Sequence, residues 1–129
     1  MTEGKILVVD DNPVNQRLAQ LTLRVAGYDV RVAADAYEAL AVTHEFRPEL
    51  ILMDIQLPGI DGLELTGRIK ADPSTADIRV IALTAYAMKG DEARATKAGC
   101  DGYMTKPIDT RALPLTVAAC LAGGSTAGR

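Results

Sequence analysis

The chain has 129 residues, 48% of them hydrophobic and 24% charged, with a formal net charge of -3. That length suits one domain, large enough to bury a core without staples, and the acidic balance argues against direct nucleic-acid binding, which needs clustered Lys and Arg. No run approaches the ~18 apolar residues of a membrane span, and a polar start that passes straight into a strand pattern carries no secretory signal.

After Lys5, the run Ile6, Leu7, Val8, Val9 is short, rich in β-branched residues and unbroken, the pattern of a strand covered on both faces, and it ends in Asp10-Asp11. Asn12 caps the first helix with Pro13 at its first position; Val14, Leu18, Leu21 and Val25 then give one apolar stripe, and Gly27 ends the helix. Residues 28–33 alternate, with Tyr28, Val30 and Val32 against Asp29 and Arg31, which reads as a half-exposed edge strand. Asp35 caps a second helix reaching about Phe46, and Pro48 prevents its continuation. Residues 50–54 form a third strand ending in Asp54, followed by a turn-rich loop over 57–62.

The third helix covers 63–71 with Leu65 and Ile69 inward, and Asp72-Pro73-Ser74 closes it. A fourth strand over 78–83 runs into Thr84. A short polar helix over 90–98 ends at Gly99. A fifth strand over 101–105 leads to Lys106-Pro107, and the last helix spans 110 to about 121 with Leu113, Val117 and Leu121 at four-residue spacing. The domain is expected over residues 4–122, with 123–129 a Gly/Ser-rich flexible tail that suits either a natural end or a cut from a longer chain. Two cysteines, Cys100 and Cys120, and one histidine, His44, fall short of the about four ligands of a structural zinc site. Buried free thiols in the cytoplasm are expected. His44, on the second helix and away from the strand ends, is expected as a solvated side chain.

Five β-α units in succession predict an α/β protein: a (βα)5, doubly wound, parallel five-stranded sheet. With the half-polar second strand at an edge, the strand order is 2-1-3-4-5, the flavodoxin-like order. Strands 1 and 3 are then neighbours at the switch point, and Asp10, Asp11, Asp54, Thr84 and Lys106 converge on one sheet edge, where ligands bind in such folds. Two carboxylates ~5 Å apart repel by roughly 3 kcal/mol at an effective dielectric near 20. Three require compensation. Lys106 supplies one positive charge, and a hard dication with oxygen ligands, best matched by Mg²⁺, supplies the rest.

Asp10-Asp11, the run from Met53 through Asp54 to Gly62, Ala82-Leu83-Thr84-Ala85 and Lys106-Pro107 together resemble the receiver domains of two-component response regulators. The resemblance spans nearly the whole chain in order and spacing. It implies a CheY-like fold in which Asp54 accepts a phosphoryl group from phosphohistidine. By the same resemblance, Asp11 is the main Mg²⁺ carboxylate with Asp10 assisting, and Asp54 and the backbone carbonyl of Gln56 complete the metal set. Thr84 is the hydroxyl that senses the phosphoryl group, with Ala85 leaving room beside it. Lys106 pairs with a phosphoryl oxygen, Tyr103 is the aromatic that moves with Thr84, and the bond before Pro107 is cis.

The implied function is a phosphorylation-dependent binding module rather than an enzyme. Its partners are a sensor histidine kinase or histidine phosphotransferase and a downstream protein. The downstream protein is expected on the face of the fourth helix, fifth strand and last helix, with no nucleic acid or membrane partner. The sequence runs around Asp54 and over 87–92 resemble stand-alone cell-division regulators of this family. Residues 11–16 also resemble receivers attached to hybrid histidine kinases. An aspartyl-nucleophile phosphatase is the remote alternative, and it needs a second Asp where Gln56 stands. A flavodoxin needs a Ser/Thr/Gly phosphate loop after strand 1, where Asp10-Asp11 would repel the phosphate.

Overall fold

A computed structural model describes residues 4–57, 59–84 and 90–122, except the side chain of Asp91. Ala85 and the tail over 123–129 lie outside the described residues. Five strands and five helices alternate: β1 (Lys5–Val9), α1 (Pro13–Val25), β2 (Asp29–Ala33), α2 (Ala36–Phe46), β3 (Leu50–Asp54), α3 (Gly62–Ala71), β4 (Arg79–Thr84), α4 (Asp91–Ala98), β5 (Gly102–Thr105) and α5 (Ala112–Leu121). All strand pairs are parallel, in the order β2-β1-β3-β4-β5. The fold is therefore the doubly wound one anticipated.

Strand alternation divides the core in two. Ile6, Val8, Leu50, Leu52, Ile81 and Leu83 face α1 and α5, where Ala19, Leu23, Leu113, Val117 and Cys120 meet them. Leu7, Val9, Ile51, Met53, Val80 and Ala82 face the other layer, where Ala36, Ala39, Leu65, Ile69 and Ala95 of α2, α3 and α4 pack. All five residues of β3 are buried: the apolar run over 50–53 suits the centre of a two-sided sheet, and Asp54 ends it at the edge that carries the site.

Two helical faces depart from the sequence reading. The α1 stripe does not face the sheet: Val14 is 73% exposed, Leu18 37%, Leu21 50% and Val25 89%. The sheet is met instead by Ala19 and Leu23, both fully buried. On α5 the third inward position is Cys120 rather than Leu121, which is only partly buried. Leu113 and Val117 set the inward face, and three residues beyond Val117, not four, returns to it. The second helix ends at Arg47, whose φ of 56° turns the chain left-handed one residue before Pro48.

His44 is exposed on α2. Both cysteines are free and buried, and burial pushes the Cys100 thiol up to about 11, so it is not a nucleophile at neutral pH. Among the described residues, no helix is long and apolar enough to cross a membrane.

Candidate metal and phosphoryl site

The register of the sheet assembles the site. Val9 lies opposite Met53, so Asp10 and Asp54 follow side by side on adjacent strands. Asp54 pairs with Leu83, and Thr84 with Thr105, so the next strand ends bring Thr84 and Lys106 to the same edge. The backbone ties these ends together: Ile55 donates to the Leu83 carbonyl (3.0 Å), and Lys106 N–H donates to the Thr84 carbonyl (2.7 Å). The Lys106–Pro107 peptide bond is cis.

Lys106 Nζ lies 3.0 Å from Asp10 Oδ2 and 3.0 Å from Asp54 Oδ2. The two carboxylate side chains are 1% and 2% exposed and that of Lys106 13%, so solvent screens this triad little. The other oxygens are held by the backbone: Asp10 Oδ1 accepts from Asn12 N–H (2.9 Å) and Asp54 Oδ1 from Gln56 N–H (2.8 Å). Asp11, exposed on the following turn, completes the group, and one oxygen from each of Asp10, Asp11 and Asp54 falls within 4.8 Å of the others. Thr84 is fully buried at the end of β4. Gln56 is exposed after β3, and Tyr103 is partly buried on β5 against the α2-α3-α4 side of the core.

The electrostatics are unbalanced. Among the described residues, three clustered carboxylates stand with one ammonium, which pairs with two of them. Burial raises the Asp10 carboxyl above its usual range and the Asp54 charge adds to this; the Asn12 N–H and the Lys106 ammonium offset only part of it. For Lys106, burial pulls downward, but bonds to Asp10 and Asp54 together push it above its ordinary value, so it stays protonated. Among the described residues, the fully buried Asp10 Oδ2 has the Lys106 ion pair and no well-aligned hydrogen bond. Uncompensated, clustered carboxylate oxygens are hard donors and fit Mg²⁺.

A sign follows for stability. With its pKa raised on folding, Asp10 favours the folded state below about 3.8, and that contribution is lost as pH rises through the raised value. At pH 7 without divalent cations its charge is a cost. Asp10→Asn is therefore expected to raise the melting temperature in EDTA at pH 7 by a few degrees, with a smaller gain at pH 4. A lower melting temperature at pH 7 would show that the Lys106 pair outweighs the crowding.

Two contributions to the site were not assigned from the sequence. A Cβ on Gly62 would lie 2.3 Å from the Asp54 carbonyl oxygen and 2.7 Å from Ile55 Cα, so α3 begins in backbone contact with the end of β3. Gln16 reaches back from the first turn of α1 to donate to the Asp10 carbonyl. The first had a partial signal in the turn-rich run ending at Gly62. The second had none, because Gln is ordinary in a helix.

A family described as response regulator receiver domain matches residues 6–118, and the chain belongs to that family. The polar-differentiation response regulator DivK of Brucella anthropi is 46% identical over 103 residues, covering 80% of this chain and 84% of that protein. DivK of Brucella ovis is 45% identical with the same coverage. Among solved structures, the CheY-like response regulator receiver domain protein of Methanospirillum hungatei superposes with a TM-score of 0.86 at 30% identity, covering 95% of this chain and 96% of that one. Chemotaxis protein CheY4 of Vibrio cholerae gives 0.85 at 27% identity, covering 91% and 98%. The protein is thus a signalling domain of the two-component type rather than a conventional enzyme.

Proposed function

We propose that Asp54 accepts a phosphoryl group from a phosphohistidine on a sensor kinase or histidine phosphotransferase, and that the phosphorylated chain changes which protein it fits. The observation that carries this is the buried Lys106 ammonium, 3.0 Å from both Asp10 and Asp54 within a cluster of three carboxylates. In the transfer, an Asp54 oxygen forms the new P–O bond as the P–N bond of phosphohistidine breaks. The electron pair stays on the imidazole, which takes up a proton. Lys106 leaves its carboxylate partners for a phosphoryl oxygen, so its charge is already placed where negative charge arrives.

Asp10, Asp11, Asp54 and the Gln56 carbonyl would hold Mg²⁺, which when bound offsets the charge of the carboxylates and of the transferred group. Thr84 is the sensing hydroxyl, with Ala85 beside it and Tyr103 as its follower on β5. The buried position of Thr84 at the strand end supports this pairing. The output face is then the one formed by α4, β5 and α5, as a two-state shift of surface shape.

The α1 stripe supports a docking role for the phosphodonor. Val14, Leu18, Leu21 and Val25 follow a 4-3-4 spacing, the narrow seam of a helix that packs on another helix. Arg17 and Arg24 flank it, and α1 carries no acidic residue, so the complementary partner is an apolar helix with acidic flanks.

Acetyl phosphate with Mg²⁺ is expected to add one phosphoryl group per chain, labile to hydroxylamine as an acyl phosphate is. Labelling that persists in EDTA, or that resists hydroxylamine, would overturn the assignment of a metal-assisted aspartyl site.

A further inference from the structure

Gln16 is only partly buried and lies on α1, outside the carboxylate cluster, yet its side chain is tied to the strand that carries the acid pair. Its Nε2 donates to the backbone carbonyl of Asp10. That carbonyl belongs to a fully buried residue just past the end of β1, where pairing with β3 has stopped at Val9. The rest of the turn is fixed around it. Asp10 N–H donates to the Ala33 carbonyl (3.0 Å), Asn12 N–H donates to Asp10 Oδ1 (2.9 Å), and Asn12 Oδ1 caps α1 by accepting from Val14 N–H (2.8 Å). The bonds to Ala33 and Asn12 hold the amide and one carboxylate oxygen of Asp10. The Gln16 bond holds the peptide plane between Asp10 and Asp11.

We infer that Gln16 is a positioning residue for the acidic pair: it sets the rotation of the Asp10–Asp11 peptide and through it the direction in which Asp11 leaves the turn. This rests on the reading of the cluster as a Mg²⁺ site. Asp11 is exposed and its carboxylate stands beside those of Asp10 and Asp54, so the peptide plane between Asp10 and Asp11 bears directly on where that carboxylate points. Partners one step removed from the metal commonly change its affinity by about 10–100-fold.

Gln20 provides an internal control. One turn further on the same helix, its Nε2 donates to the Val30 carbonyl on the edge strand (3.4 Å), away from the carboxylates. Both glutamines join α1 to a backbone carbonyl of the sheet layer, Gln20 within β2 and Gln16 at the acid pair just past β1.

The test titrates Mg²⁺ by calorimetry into the full chain, Gln16→Met, Gln16→Ala and Gln20→Met, and records amide NMR shifts of each without metal. Both Gln16 variants are expected to bind Mg²⁺ about tenfold more weakly, with metal-free shifts centred on Asp11 and Asn12. Gln20→Met is expected to bind within twofold of the parent. Equal weakening by Gln16→Met and Gln20→Met would reduce Gln16 to a general helix–sheet tie and overturn the inference. Parent-like affinity in both Gln16 variants would do the same while leaving the metal site standing. A parent chain that binds no Mg²⁺ at millimolar concentration would remove the metal site itself, and the inference with it.

Discussion

Asp54→Asn is expected to abolish phosphoryl incorporation from acetyl phosphate, lowering the labelling rate by more than about a hundredfold, while the chain stays folded. The reason is chemical and local. An amide oxygen is a poor nucleophile, and covalent transfer to a side chain needs the carboxylate. Asp10 is as buried as Asp54 and lies equally near Lys106, so labelling of Asp54→Asn also tests whether Asp10 can take over. Asp11 is exposed and has no ion pair with Lys106.

Replacing one of three crowded carboxylates also reduces repulsion, so the variant is expected to melt no lower than the parent in EDTA. Its response to Mg²⁺ should shrink, because binding to the folded state alone is what raises the midpoint. Labelling of Asp54→Asn at the parent rate, read by mass spectrometry, would move the acceptor elsewhere and undo the assignment.

Gly62→Ala is expected to destabilise the chain strongly. Its Cβ would sit 2.3 Å from the Asp54 carbonyl oxygen, 2.7 Å from Ile55 Cα and 2.9 Å from the Asp54 carbonyl carbon. All three are backbone atoms at the end of a fully buried strand, so no rotamer change relieves the contact. Either α3 or the β3 terminus must shift. Overpacking of this kind costs about 3 kcal/mol or more, which for a domain of this size lowers the melting temperature by about 10 °C.

Gly67 gives the contrast within the same helix, since a Cβ there meets nothing within 4 Å. Gly67→Ala is expected to stabilise by up to about 1 kcal/mol through helix propensity. Thermal melts of the two variants separate close approach from the general effect of adding a methyl group. A drop of less than 2 °C for Gly62→Ala would mean that the start of α3 moves freely. Because the contact is with Asp54 itself, the folded fraction of Gly62→Ala should also show slower labelling than the parent.

The fold and the site were legible in the chain to different depths. Alternating strand and helix periods, with Gly27 and Gly99 as stops and Asn12 and Asp35 as caps, determined the element order, because those signals act within a few residues of one another. The half-polar strand over 28–33 marked an edge, and this with right-handed crossovers led to the order of the sheet. The chemical types needed at the sheet edge were also readable, since acids, a hydroxyl and a lysine stood at the ends of apolar runs.

Tertiary packing decided what depends on distance between segments far apart in the chain. The shared 3.0 Å contacts of Lys106 arise from strand register across residues 10, 54 and 106. The outward turn of the Val14–Val25 stripe reflects a choice between two apolar faces of α1. The sheet took the face of Ala19 and Leu23 and left Val14, Leu18, Leu21 and Val25 outward. Composition and period alone rank those faces the other way, because they weigh hydrophobicity and cannot see the space available. Gly62 and Gln16 belong to the same class: a residue that must be absent, and an ordinary amide whose partner is a backbone atom.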